Sequence, residues 1–345
     1  MTAIATTVIP TRLPLRVTAN LVGIGFGLAG LAGSWQAAAQ TTSAPDWVAG
    51  ALAVTAAAAW LAVGTAWVAQ LARGLRSLSG ELHDGVLGPY VSLLPIVGMP
   101  LALDLYPHAR GAGRVLFGVF AAATVLLGGW LTGQWIADRV DLDALHPGYF
   151  LPTVAGGLIA AQGAAQAGWP GLARALFGIG ILPWLLLGPL ILARPIIRPP
   201  LPAALSPTLA IEVAPPALAG NAYLALTGGR FDTVTWALAG FTGLMVVAQL
   251  RLIPLYRRAP FGPGSWSFTF TYATVATFAL HWIGHEHPPG AAAWTWTVLS
   301  LITIIIAVIA ARTLLALAQG QFLPRAPATT SARSGRAAGR FAPLH

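Results

Sequence analysis

The sequence predicts an all-α polytopic membrane protein in which ten transmembrane helices pair as five helical hairpins, with the odd-numbered helices inside. Three observations predict it. Of the 345 residues, 56% are hydrophobic and only 8% charged, with a mean hydropathy of +0.72, more apolar than a soluble domain. Apolar runs of bilayer-crossing length, about 20 residues, recur along the chain. Helix breakers concentrate in alternate runs.

The runs cover 17–38, 47–71, 86–106, 115–136, 149–167, 172–192, 205–226, 234–255, 266–284 and 291–316. The even-numbered ones are mostly Leu, Ala, Val and Trp, which suits a lipid-facing surface. The odd-numbered ones carry Gly23, Gly25, Gly27, Gly30 and Gly33 in the first, then Pro95, Gly98 and Pro100 in the third. Pro152, Gly156 and Gly157 follow in the fifth, and Pro207, Pro215 and Pro216 in the seventh. A proline inside a membrane helix frees a carbonyl that protein or a water-filled cavity satisfies and lipid does not, so these helices are expected inside. Pro95, Pro152 and Pro207 follow each other at steps of 57 and 55 residues. Phe270 stands 63 further on, and counting back from Pro95 reaches Gly25. This weak repeat fits stacked hairpins better than unrelated spans.

The ninth run has a different texture. From Phe261 to Gly284, hydroxyls and aromatics are threaded through a bilayer-length segment that follows Gly262-Pro263-Gly264. Each hydroxyl lowers the gain on transfer to hydrocarbon, so this stretch reads as the lining of a wet or narrow path.

The formal charge of +9 comes from 19 arginines and no lysine, against 10 acidic residues. The arginines punctuate apolar runs instead of forming a patch, which argues against nucleic acid as a partner. Arg110, Arg114, Arg174 and Arg230 follow odd runs; the other fifteen, among them Arg12, Arg76, Arg139, Arg198, Arg258 and Arg333, lie at the N-terminus or after even runs. That asymmetry places both termini in the cytoplasm, and the expected location is the plasma (inner) membrane. The expected organisation is a cytoplasmic segment over 1–16, a transmembrane domain over 17–318 and a disordered basic cytoplasmic tail over 319–345. The absence of cysteine removes disulfide and thiol chemistry, and no apolar run with a cleavage site precedes Arg16 to predict a signal peptide.

Several stretches together resemble the tellurite-resistance and dicarboxylate transporter (TDT) family, which also contains the plant slow anion channels. They are Asn20-Leu-Val-Gly-Ile-Gly-Phe-Gly-Leu-Ala-Gly-Leu31, His146-Pro-Gly-Tyr-Phe-Leu-Pro152, Leu205-Ser-Pro-Thr-Leu-Ala-Ile-Glu-Val-Ala-Pro-Pro216 and Trp266-Ser-Phe-Thr-Phe270. The resemblance covers nearly the whole hydrophobic body. It implies an inner ring of odd helices around a central pore, a homotrimer, no cofactor and small anions as substrate. It also implies that a ninth-helix phenylalanine plugs the pore. Phe270 matches that position best and Phe268 second; the two lie roughly 200° apart around a helix, so only one can face the axis. Many relatives place proline after this aromatic, where Thr271 stands here.

The remaining candidates follow from the residues. Gly25, Pro95, Pro152, Pro207 and Pro215 are expected to line or kink the pore. Glu212 is an ionisable residue inside the seventh run, where burying its charge costs on the order of 3 kcal/mol, so it is either proton-linked or a structural carboxylate at a helix end. His281, His285 and His287 offer metal-ligand spacing but lack the His-Glu-x-x-His order, and a wet helix end explains them better. Asp104, Asp138, Asp141 and Asp143 read as interfacial caps and loop charges. The glycines of the first run read as close helix packing and not as a nucleotide loop. The expected function is an anion channel or transporter selecting through broken-helix dipoles. A proton-coupled C4-dicarboxylate (malate), sulfite or tellurite carrier is the first alternative, and a membrane metal enzyme built on the three histidines the second.

Overall fold

The computed structural model describes residues 16–42, 44–138 and 141–323. The N-terminal segment before Arg16, the tail beyond Leu323 and Arg139 lie outside the described residues. Among the described residues every regular element is helical. Ten long helices follow in order: α1 (Ala19–Thr41), α2 (Asp46–Ala72), α3 (Gly88–Leu105), α4 (Arg110–Ala137), α5 (147–166), α6 (Pro170–Ile197), α7 (Ser206–Thr227), α8 (Thr233–Tyr256), α9 (263–286) and α10 (Ala291–Ala318). One-turn helix Leu78–Leu82 lies between α2 and α3.

Eight of the ten are long and apolar enough to cross a membrane. The other two, α5 and α9, depart for different reasons. Helix α5 is assembled from a 3-10 turn, a π turn and only eleven α-helical residues. Helix α9 dilutes its apolar residues with Ser267, Thr269, Thr271, Thr274 and Thr277. The chain is a polytopic membrane protein.

Each odd helix packs against the even helix that follows it, and the odd helices also pack on one another in a closed circuit, α1 on α3, α3 on α5, α5 on α7, α7 on α9 and α9 on α1. Helices α1, α3 and α7 are largely buried, whereas α2, α4, α6, α8 and α10 expose most of their length. Leu126, Ile136, Leu186 and Leu244 are among the exposed side chains. In lipid such exposure is the stable state, because the solvent outside is as apolar as the core.

All five odd helices begin with a 3-10 turn, and these turns touch each other at one end of the bundle. Four carry proline at the start: Pro89, Pro147, Pro207 and Pro263. Proline suits that place because its fixed φ is already helical and its missing N–H is an orphan there in any case. The steps between them are 58, 60 and 56 residues, more even than the sequence repeat drawn through Pro95, Pro152 and Phe270. The structure therefore shifts the register: Pro207 belongs with Pro89 and Pro147, not with Pro95 and Pro152. Pro152 sits on the π turn of α5, and Pro95 in the first α-helical turn of α3.

Glycine sets the interhelical distances. A Cβ on Gly157 of α5 would lie 2.6 Å from the backbone nitrogen of Gly180 on α6, so the two backbones pack directly. At the same end as the 3-10 turns, a buried ion pair of Arg76 with Glu81 closes the α2–α3 connection. Trp67 Nε1 donates to Glu81 Oε2 at 2.8 Å, and Arg76 Nη1 donates to the Val17 carbonyl at 2.8 Å, tying the connection to the chain entering α1.

Candidate functional site: an axial path blocked by stacked phenylalanines

The odd helices enclose two small cavities in line, with Phe270 between them. The first, about 40 Å³, lies among the 3-10 turns and is lined by Asn20, Tyr90, Ile211 and Ser267 with more apolar neighbours. The second, about 140 Å³, lies toward the C-terminal ends of the odd helices, where Gln36, Asp104, Gln162, Asn221 and Thr277 reach it. Phe270 and Leu218 line both cavities and so form the partition. The second cavity shares Gly33, Gln36, Gln162 and Asn221 with an open vestibule of about 610 Å³, to which Gln40, His281 and His285 also contribute.

Phe270 does not stand alone. Its ring lies flat on Phe26 of α1, with centroids 3.5 Å apart and planes 10° from parallel. A Cβ on Gly30, one turn further along α1, would come within 3.0 Å of the Phe270 ring, so the glycine leaves room for the stack. Ser34 fixes α1 against α9 at that depth, its hydroxyl 3.0 Å from both the Ala273 carbonyl and Thr277 Oγ1. Phe268 points elsewhere. It packs edge-on to Tyr256 of α8 at 4.9 Å and parallel to Tyr272 at 6.3 Å, outside both cavities. Helix α9 runs unbroken through Thr271, without the bend that proline would introduce.

The other sequence candidates sit around this path and not on it. None of Gly25, Pro95, Pro152, Pro207 and Pro215 is among the residues lining the two cavities. Gly25 faces α2, where a Cβ would meet Trp60 Cβ at 3.0 Å. Pro95 borders an apolar groove between α2 and α4. The Pro152 carbonyl lies against Gly128 of α4. Pro207 and Pro215 are buried in the first turns of α7. Glu212 is also buried and off the path. It belongs to the 3-10 segment, Ser206–Val213, that opens α7.

The three histidines separate. His281 Nδ1 donates to Asn221 Oδ1 at 3.0 Å, and Asn221 Nδ2 donates to the Thr274 carbonyl at 3.2 Å. His285 stacks on Phe231 at 4.0 Å, and His287 ends α9 in a left-handed conformation with φ +47°. Among the described residues no three His, Asp or Glu side chains gather to hold a metal ion.

The electrostatics come from the backbone. No residue lining the two cavities or the vestibule is an arginine, and the chain has no lysine. The starts of α1, α3, α7 and α9 bring Asn20, Tyr90, Ile211 and Pro263 to the first cavity, and a helix N-terminus carries a partial positive charge from N–H groups not bonded within the helix. Sequence reasoning did not single out Phe26 or place Asp104 on the path; Phe26 sits between Gly25 and Gly27, a spacing that reads first as close packing.

A closed circuit of five helices, each opening with a 3-10 turn, around two cavities separated by a phenylalanine fits a class, the helical membrane proteins that conduct or carry small solutes. Comparison with known proteins sharpens it. Residues 16–314 match the SLAC1 family, described as voltage-dependent anion channel. The tellurite resistance protein TehA homolog of Haemophilus influenzae is 25% identical over 310 residues, covering 90% of this chain and 93% of that protein. The S-type anion channels SLAH1 and SLAH4 of Arabidopsis thaliana are each 28% identical, over 180 and 167 residues, about half of either chain. The chain belongs to the SLAC1/TehA family, an anion channel and transporter family and not one of enzymes, which sets aside the metal-enzyme alternative.

Proposed function

We propose that this protein moves small inorganic anions or dicarboxylates across the plasma (inner) membrane through a central pore gated by Phe270. In this reading all ten helices span the bilayer as five hairpins, the odd helices form the pore wall, and both termini are cytoplasmic. The observation that carries it is the Phe26–Phe270 stack, which divides the axial path into two cavities. Between them the apolar rings exclude water, so the closed state is held by steric blockage and dewetting. The 3-10 starts of the odd helices supply a fixed positive potential at one mouth, and carboxamides and hydroxyls line the other, a combination that favours anions without binding them as tightly as an arginine. The names of the relatives, a tellurite-resistance protein and S-type anion channels, support the substrate class.

Glu212, buried off the path in the 3-10 segment that opens α7, is read as a structural carboxylate. Assembly as a homotrimer with one pore per protomer follows from the family resemblance, and native mass spectrometry in mild detergent reads the stoichiometry directly. The substrate reading is tested by reversal potentials of the purified protein in planar bilayers under asymmetric salt. Anion replacement is expected to shift the reversal potential and cation replacement to leave it in place; the opposite pattern contradicts the reading.

A further inference from the structure

Glu212 lies off the axial path, but another carboxylate lies on it. Asp104, in the last turn of α3, lines the 140 Å³ cavity immediately beyond Phe270, facing Gln36, Gln162 and Asn221 from three other odd helices. Of all the residues lining that cavity and the one on the far side of Phe270, Asp104 alone is acidic and none is basic. Its carboxylate takes part in no ion pair or hydrogen bond among the described residues.

The helices packed on α3 offer little to neutralise it. Helices α1 and α5 carry no charged residue, and α2 only Asp46 at its start, which borders the same side groove as Asp104 and His108. Helix α4 brings Arg110 and Arg114, but both lie over the Tyr106 ring, about 6 Å from its centroid, and Arg114 Nη2 donates to the Ala167 carbonyl at 2.6 Å. Across the cavity α7 and α9 present Asn221 and Thr277, and His281 stands beyond them in the vestibule, held by Asn221.

We infer that Asp104 is the charge-selecting, proton-linked residue of the anion path. Ionised, it repels an anion arriving from the vestibule at close range in a confined space, where such repulsion is strong. Protonated by a proton taken from vestibule water, it is neutral and offers an O–H donor to the same anion, beside the carboxamide N–H groups of Gln36 and Gln162. Flux through this cavity therefore rises as pH falls. The inference rests on the axial path carrying anions.

The test is chloride flux into liposomes containing the purified full chain, measured from pH 5 to pH 8 in wild type and in Phe270→Ala, where the blocking ring is gone. Flux is expected to fall several-fold as pH rises, in both backgrounds if wild type conducts and in Phe270→Ala if it does not. Asp104→Asn is expected to hold the low-pH flux throughout, and Asp104→Ser serves the same purpose should the amide variant fail to assemble. Asp104→Glu is expected to retain the pH dependence, and Glu212→Gln, off the path, to follow the parent profile. A flat parent profile, or neutral variants at position 104 that still lose flux at high pH, overturns the assignment. Absence of chloride flux at every pH even in Phe270→Ala overturns the anion-path reading itself, and this assignment with it.

Discussion

Helices α5 and α6 form one hairpin and solve opposite problems with similar residues. Helix α6 contains Pro183, Pro189 and Pro195 yet stays α-helical over all 28 residues, with Leu182, Leu185 and Leu186 exposed. Helix α5 has Pro147 and Pro152, and over its first nine residues passes through a 3-10 and then a π turn while remaining buried. Proline therefore marks where a helix departs from ideal hydrogen bonding, not which solvent it faces. What the inner helix has is contact at backbone distance on two sides, Gly157 against Gly180 of α6 and the Pro152 carbonyl against Gly128 of α4. The expectation that the breaker-rich helices are buried holds for α1, α3, α5 and α7, yet α6 shows that breakers alone do not decide it.

The largest effect that sharpens this contrast is expected at Gly157. Gly157→Ala places a methyl group where backbone atoms of α6 already lie, which forces the hairpin apart at a cost of about 1–3 kcal/mol or more. On the same hairpin, Gly178 has open space around its Cβ position, so Gly178→Ala is expected to be neutral or slightly stabilising through helix propensity. Thermal melts by fluorescence-detected size exclusion compare the two, and equal Tm values would remove glycine contact as the discriminator.

A smaller difference is expected between buried and exposed hydroxyls. Ser34→Ala deletes a buried link between α1 and α9 and is expected to cost about 1 kcal/mol. Thr297→Ala, on the exposed face of α10 where the hydroxyl only returns to its own helix, is expected to change Tm within error.

The smallest effect concerns the α7–α8 connection. Asp232 caps α8 by accepting from the backbone N–H groups of Val234 and Thr235 and accepts from Tyr223 Oη at 2.6 Å. The Tyr223 hydrogen bond and then the two backbone donors hold its carboxyl below the ordinary aspartate range. Because the folded value is the depressed one, the stabilisation is present above the unfolded value near 3.9 and is lost as pH falls through the folded value. Asp232→Asn is expected to weaken this acid-side loss of Tm and to lower Tm slightly at neutral pH, where the carboxylate's contribution is present.

Much of the architecture was legible in the sequence because the bilayer imposes it: length and hydropathy give eight of the ten helices as spans, and even helices rich in Leu, Ala and Val face outward. The separation of Phe270 from Phe268 was legible from helix geometry, since two residues put the rings on different faces. The even repeat of Pro89, Pro147, Pro207 and Pro263 was present in the sequence but hidden, because a proline at a first turn and one inside a helix look alike without knowing where the helix starts. Asp104 was read as an interfacial cap because its position near a helix end says nothing about which face it occupies. The Arg76–Glu81 pair depends on a loop folding back under α2, which no periodicity encodes.

The measurement that bears most directly on the central claim is anion conductance of Phe270→Ala beside Phe268→Ala in planar bilayers. Removing the Phe270 ring also removes its partner's stacking surface without adding charge, so basal conductance is expected to rise well above wild type. Phe268→Ala is expected to lower expression through lost packing against Tyr256 and Tyr272 and to show no leak. A leak from Phe268→Ala with none from Phe270→Ala, or no leak from either, would contradict a gate at the Phe26–Phe270 stack.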